Sequence, residues 1–389
     1  MIETVLLGSI SLGAALWLGV LVLPWFPWLI RERLEPTELP HPPALSDVTA
    51  VIPARDEAAH ITETLEALFG QGAGIRAVVV DDQSGDATAA CVEAVARNHS
   101  RLELVRGTSP PEGWTGKLWA LQQGVARVRT PWVLLLDADI TLAPNMLPVV
   151  YEKCRAEEIA FFSIMARLRT ASAWERLLMP AFVLFFKLLY PFALSNAGSR
   201  RVSAAAGGFI LCRRACLEES GSFAALRGEI IDDCALAKRV RGTGARTWIG
   251  LSRGVLSRRA YPHLNDIWQM VARTAFNQLR YSVLLLLLAT ALLLAAFWAP
   301  ILGIIAGPGA WPVAGGVALL AMVAVYLPTL AYYRLSVLWA VLLPLAGSLY
   351  LAMTWTSAIR YWRGETSRWK GRSYARSSRR RREERSSAS

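Results

Sequence analysis

WVLLLDADIT, residues 132–141, is the stretch on which the fold turns: five apolar residues run without a break toward Asp137 and Asp139, which are separated by a single alanine. Such a run suits a strand covered on both faces, the usual state of strands in a parallel sheet flanked by helices. Carboxylates at its end have a plain role as turn or cap formers. They also have a chemical one, because ligands of α/β sheets sit beyond the carboxyl ends of the strands.

The surrounding chain repeats the pattern. DVTAVIPA (47–54) reads as a strand, DEAAHITETLEALFGQG (56–72) as a helix closed by glycine, and IRAVVVDDQS (75–84) as a strand ending in Asp81 and Asp82. A helix over 87–98, the strand LELVRG (102–107) and a helix over 117–128 then lead to WVLLLDAD. Strands alternating with helices predict a mostly parallel, Rossmann-like sheet with right-handed crossovers. If the strands ending at Asp82 and Asp137 are neighbours, their carboxylates come within several ångströms of one another, where like charges need a cation or a donor-rich ligand. A hard divalent ion, Mg2+ or Mn2+, meets that need with few carboxylates and completes its shell with water and phosphate oxygens. That combination describes a nucleotide-diphosphate site. A third acidic pair, Asp232 and Asp233 in RGEIIDDCALAKRV (227–240), opens another helix, as a plain N-cap or as a general base.

The whole chain has 389 residues, 54% of them hydrophobic, and a net charge of +12. Four uncharged apolar stretches, 5–30, 283–307, 311–333 and 335–359, reach the roughly 20 residues that cross a bilayer. The first has no basic n-region and no small-residue cleavage site, so it reads as a retained anchor. The expected organisation is an anchor (1–30), a Pro-rich linker (31–46), a soluble α/β domain (47–281), C-terminal transmembrane helices (282–360) and a basic tail (361–389). The apolar segment 171–196 is broken by Pro180, Lys187 and Pro191, which favours a buried or interface-lying segment over a span. Five cysteines with no CxxC pair indicate neither a zinc site nor a disulfide framework, and fit a reduced compartment. The arginines concentrate in the tail beside an apolar stretch, which argues against nucleic acid as the partner.

With these motifs assembled, the chain resembles the inverting family 2 glycosyltransferases, whose fold is the GT-A fold, over most of 51–281. IPARDE (52–57) resembles the family's opening motif, with Asp56 where Asn is common, and the resemblance implies a nucleotide-binding part for Pro53, Arg55 and Glu57. Asp82 matches the aspartate that binds the base or ribose. Asp137 and Asp139 match the DxD motif, Asp139 as metal ligand and Asp137 beside it, and DDCAL matches the ED motif, making Asp233 the base and Asp232 its neighbour. In GWTGKLWALQQG (113–124), Lys117 at a loop leading into a helix suits a phosphate contact, and the paired Gly207 and Gly208 would let backbone approach a ligand. The family's QxxRW motif reads NQLRY (277–281) here, keeping Arg280 for a diphosphate contact but losing the tryptophan of processive synthases. GWTGKLWA, VSAAAGGFILCRR and IDDCALAKRV resemble most closely a bacterial subgroup associated with hopanoid biosynthesis, and more distantly ceramide glucosyltransferases.

The resemblance implies an enzyme that moves a sugar from a nucleotide-diphosphate donor, a UDP-sugar by family likeness, to a lipid acceptor with inversion, as a multi-pass bacterial inner-membrane protein. A synthase of polyisoprenyl-phosphate sugar or polysaccharide is the alternative enzyme, and a sugar-nucleotide-binding scaffold the alternative without catalysis. Arg31 and Arg33 place the catalytic domain in the cytoplasm, three further spans would leave the tail outside, and the tail's own charge predicts the inside. Either one C-terminal segment is re-entrant, with 335–359 and its central Pro344 the candidate, or the tail breaks the tendency; a cytoplasmic tail is the favoured expectation.

Overall fold

The computed structural model describes residues 2–199, 201–227, 232–365, 367–369 and 372–374. Of the basic tail expected from 361, residues 366, 370–371 and 375–389 lie outside the described residues. The chain divides into two units, one of 1–31, 169–193 and 260–365, the other of 32–168, 194–259 and 366–389.

In chain order the elements begin with α1 (Ile2–Val22), β1 (Val48–Ala54), α2 (Ile61–Phe69), β2 (Arg76–Asp81), α3 (Thr88–Ala96) and β3 (Leu102–Arg106). They continue with α4 (Gly116–Val125), β4 (Trp132–Leu136), β5 (Ile140–Leu142), α5 (Met146–Ala156), β6 (Phe161–Arg167), α6 (Ala173–Leu189) and α7 (Phe192–Asn196). Then come β7 (Phe209–Arg213), α8 (Arg214–Glu219), α9 (Asp232–Gly242) and β8 (Thr247–Ser257). The remaining helices are α10 (Leu264–Ala272), α11 (Ala275–Gln278), α12 (Val283–Leu293), α13 (Ala299–Ala306), α14 (Trp311–Tyr333) and α15 (Leu343–Trp362).

The sheet of eight strands runs β3-β2-β1-β4-β7-β6-β8-β5. The β3-β2-β1-β4 half is parallel, as the alternating sequence predicts, and β6 pairs with β8 in the same sense. Strand β7 runs antiparallel to both β4 and β6, and β5 antiparallel to β8, so the sheet is mixed. All seven residues of β1 and all five of β4 are buried, because helices cover both faces of that half. Pro53 is tolerated inside β1 because the β1–β4 ladder ends at Val51, so no neighbour there calls for its missing N–H.

Residues 32–46 are laid against this sheet instead of hanging free. Arg33 bridges Leu251, the Leu34 N–H donates to the Leu251 carbonyl at 3.0 Å, Glu35 accepts from the Arg253 N–H at 2.9 Å, and Leu45 is fully buried. The prolines exclude regular structure, but nearby residues still find backbone partners.

The helical unit holds α1, α6 and α10 through α15. Three stretches in it, Val283–Ala306, Trp311–Tyr333 and Val337–Trp362, are long and apolar enough to cross a bilayer. They expose leucines such as Leu284, Leu320 and Leu338 at 74%, 72% and 73%, as helices solvated by lipid do. A π turn, Leu294–Trp298, joins α12 to α13, and the Trp17 indole donates to the Ala296 carbonyl within it at 2.8 Å. Helix α1 stops at Val22, short of the expected residue 30, because Pro24 and Pro27 follow. The segment 171–196 forms α6 and α7. Its Lys187 is buried, with the ammonium donating to the Leu29 carbonyl and lying 6.0 Å over the Phe192 ring. None of the five cysteines forms a disulfide among the described residues.

Candidate active site

The strand ends supply the acidic residues, but in an arrangement the sequence reading did not foresee. Strand β1 lies between β2 and β4, so the strands ending in Asp82 and Asp137 are not neighbours but stand two strand spacings apart, about 10 Å. The crowding expected between their carboxylates is absent. Each carboxylate instead has its own cation. Arg106 lies 3.4 Å from Asp81, Arg55 4.0 Å from Asp82, Lys117 2.7 Å from Asp137 and Arg259 2.6 Å from Asp139.

Two loops carry the first group. The chain leaves β1 at Ala54 and turns at Asp56, whose φ of 50° is one that Asp tolerates better than most residues. Asp56 Oδ1 accepts from the Gly85 N–H at 2.7 Å, the Glu57 N–H donates to Thr88 Oγ1 at 2.8 Å, and Arg55 donates to the Asp82 carbonyl at 2.6 Å. The β1 and β2 ends are thereby stitched together, bringing Arg55, Glu57 and Asp82 into one patch. Pro53 is buried near the end of β1.

The second group lines a cleft. Lys117 lies in the first turn of α4, whose N-cap Thr115 accepts from the Leu118 N–H at 3.3 Å. Helix α4 can lie close on β1 because residue 124 is glycine: a Cβ there would come within 2.4 Å of Val51 Cγ1. Across the cleft, Asp233 stands at the start of α9. Its Oδ2 accepts from the Gly207 N–H at 2.9 Å and its Oδ1 from the Cys234 N–H at 2.8 Å. A Cβ on Gly207 would sit 3.5 Å from Lys117 Nζ and 3.6 Å from Asp233 Oδ2, so the missing side chain is part of the space between them. Lys117, Asp137, Gly207 and Asp233 therefore share one cleft, floored by Leu135, Ile210, Phe223 and Leu236. Gly208 sits beside it, its carbonyl accepting from the Asp137 N–H at 3.1 Å. Asp232 opens α9, and its side chain lies outside the described residues.

Arg280 belongs to the helical unit. It and Tyr281 both take left-handed φ values, 51° and 58°, a costly pair for residues with side chains. Tyr281 stacks on Tyr361 at 4.4 Å and meets Phe276 edge-on at 5.6 Å, so an aromatic cluster holds the turn.

Arg259 was not singled out from the sequence. Its Nε donates to Asp139 Oδ2 and its Nη2 to Glu57 Oε1, both at 2.6 Å, tying the β1 loop to the second DxD carboxylate. The available signal was SRRA at the end of a long strand, where two successive arginines are placed among strand-end carboxylates.

Among the described residues no three His, Cys, Asp or Glu side chains gather into a metal cage. The donor set still fits a hard divalent ion that brings its own phosphate ligands, since Mg2+ needs only one or two carboxylates. Asp139 is 8% exposed and already charge-compensated by Arg259.

Residues 49–221 match the family model Glycosyl transferase family 2. The succinoglycan biosynthesis protein ExoO of Rhizobium meliloti (strain 1021) is 35% identical over 120 residues, 30% of this chain and 33% of that protein. A 4,4'-diaponeurosporenoate glycosyltransferase of Staphylococcus aureus (strain MRSA252) is 32% identical over 94 residues, 24% of each chain. The matches thus span a third or less of these relatives. Among solved structures, a mannosyltransferase from Pyrobaculum calidifontis in complex with GDP-Man and Mn2+ superposes with a TM-score of 0.56 at 19% identity, covering 92% of this chain and 98% of that one. The shared fold is GT-A.

Proposed function

We propose, from the premise that residues 49–221 form a family 2 glycosyltransferase domain, that the chain is an inverting glycosyltransferase moving a sugar from a nucleotide diphosphate to a lipid acceptor. The observation that carries this reading is the Asp233 carboxylate, fixed at both oxygens by backbone N–H groups and facing the Lys117–Asp137 pair across the bare Gly207.

In this mechanism the patch of Arg55, Glu57 and Asp82 receives the nucleoside, and Asp137 faces the donor. Asp139, with Asp137 beside it, would hold Mg2+ or Mn2+, which when bound offsets charge on the leaving diphosphate. Lys117, at the N-terminus of α4, adds a positive charge and backbone N–H groups toward the same phosphates. Asp233 takes the proton of the acceptor hydroxyl as its oxygen attacks the anomeric carbon from the face opposite the leaving group. A single displacement inverts the configuration without a covalent sugar–enzyme bond. Gly207 leaves room for the acceptor hydroxyl beside Asp233.

A lipid acceptor, with a hopanoid as the specific expectation, is supported by the three helices long and apolar enough to cross a membrane and by the acceptor in the name of the staphylococcal relative. The name of the succinoglycan protein favours the second reading, polysaccharide or polyisoprenyl-phosphate sugar synthesis. Against extension stands Tyr281, which is packed on Tyr361 where processive relatives are expected to carry a tryptophan. Membranes containing the protein, incubated with a panel of radiolabelled nucleotide sugars and with Asp233→Asn as control, test the reading. A labelled lipid identified by mass spectrometry and lost in the variant supports it. Label in polymer alone favours the second reading, and no Asp233-dependent label from any donor refutes both.

A further inference from the structure

We infer that Arg259 is a resident counter-cation that opposes a divalent ion at Asp139 until a diphosphate is present, so that metal and donor bind as a coupled pair. The inference rests on the family 2 reading above and concerns a residue that reading leaves without a role.

The geometry is built rather than incidental. Strand β8 ends at Ser257, and the next residue is pinned on three sides. The Arg258 N–H donates to the Asp139 carbonyl at 2.8 Å, its Nε to Thr141 Oγ1 at 2.9 Å, and its Nη2 lies 2.5 Å from Glu63. Arg259 is thereby delivered to a fixed place, where one guanidinium spans Asp139 and Glu57 at 2.6 Å each. The two carboxylate side chains are only 11% and 9% exposed, against 36% for the arginine.

Two buried carboxylates and one guanidinium carry a net charge of −1. Without the guanidinium the pair would be −2 in a poorly solvated place, a strong attraction for any divalent ion. With it, an incoming ion must share Asp139 with a fixed positive charge that no working pH removes, since guanidinium does not deprotonate in proteins. A diphosphate reverses the balance by bringing at least two negative charges to the ion's open side. Metal alone then binds weakly, metal with diphosphate binds strongly, and by linkage each strengthens the other by the same factor.

The full-length protein in detergent can be titrated with Mn2+, reading free ion by electron paramagnetic resonance, alone and with UDP or GDP present. Arg259→Gln should bind Mn2+ alone at least about tenfold tighter than the parent and lose a similar factor of diphosphate coupling. Arg259→Lys, which keeps the charge, should stay within about threefold of the parent. Glu57→Gln keeps Arg259 in place and raises the local charge, so it should weaken Mn2+ binding without nucleotide and serves if Arg259→Gln fails to fold. Unchanged or weaker Mn2+ binding in Arg259→Gln, or unchanged binding in Glu57→Gln, overturns the inference and leaves Arg259 a structural bridge. Failure of the parent to bind any nucleoside diphosphate refutes the family 2 reading separately, and the comparison with Mn2+ alone still decides the role of Arg259.

Discussion

The Lys117 ammonium lies 2.7 Å from Oδ1 of Asp137, inside the cleft that also holds Asp233. Removing it does two things: it deletes a positive charge facing the proposed leaving group and leaves Asp137 uncompensated near a second carboxylate. Lys117→Met should therefore lower kcat/KM about 10²-fold or more, comparable to the loss of one preorganised donor to a developing anion. Lys117→Arg, which keeps the charge, should recover part of that loss. Steady-state kinetics with varied donor decides, and a Met variant within threefold of the parent would exclude a role on the phosphates.

Asp233→Asn should reduce turnover about 10²- to 10⁴-fold while donor affinity stays nearly constant. The amide presents one acceptor oxygen to two backbone donors, Gly207 and Cys234, so one N–H loses its partner and local stability falls by about 1 kcal/mol. Calorimetric donor binding separates the effects: lost turnover with intact binding identifies the base, whereas a parallel loss of binding identifies a merely structural carboxylate.

Gly207→Ala tests the space itself. The new methyl would meet Lys117 Nζ at 3.5 Å and Asp233 Oδ2 at 3.6 Å, ordinary contact distances, so the fold should tolerate it within about 0.5 kcal/mol. If the acceptor hydroxyl occupies that space, acceptor KM rises by roughly tenfold or more with the donor KM unmoved. Unaltered acceptor kinetics would place the hydroxyl elsewhere.

The parallel half was legible in the sequence because β2 and β4 are apolar runs leading into aspartates and β1 is a largely apolar strand between turn signals, and the C-terminal helices because no charge breaks their apolar stretches. Strand order was not legible. That β1 separates β2 from β4 is a property of the assembled sheet, and it turned one presumed carboxylate cluster into carboxylates with separate cations. Arg259 was missed because a strand-end arginine looks like ordinary surface until Glu57, 202 positions away, is seen beneath it. Lys187 shows the same limit, since its partner is a backbone carbonyl, at Leu29, which no side-chain pattern can announce.

Gly124→Val should be among the more damaging single changes in the sheet unit. Its Cβ would approach Val51 Cγ1 to 2.4 Å and Val80 Cγ2 to 3.0 Å, so α4 must lift from β1 or a core side chain must leave its rotamer. Overpacking of this kind costs about 1–3 kcal/mol. Because α4 carries Lys117, activity should fall more than the fraction unfolded accounts for. Denaturant titration beside kinetics measures both, and an unchanged unfolding midpoint would show that α4 is not seated as described.

Glu175 predicts a pH dependence confined to acid. Burial pushes its carboxyl up, but the N–H groups of Tyr261, Ser172 and Ala171, with Arg169, outweigh that and hold it below the ordinary range. A lowered folded-state value means the carboxylate stabilises the fold above its unfolded value, about 4.3, and that this contribution fades as pH falls through the folded value. Glu175→Gln offers one acceptor oxygen where Oε1 and Oε2 now serve Tyr261 on one side and Ala171 and Ser172 on the other, so near neutrality it should be about 1–3 kcal/mol less stable. The gap between parent and variant should narrow below about pH 4, because only the parent has a charge there to lose. Thermal unfolding of both proteins in detergent from pH 7 to 3.5 measures it. A gap that stays constant across that range would mean that shape, and not the charge, is what α6 draws from Glu175.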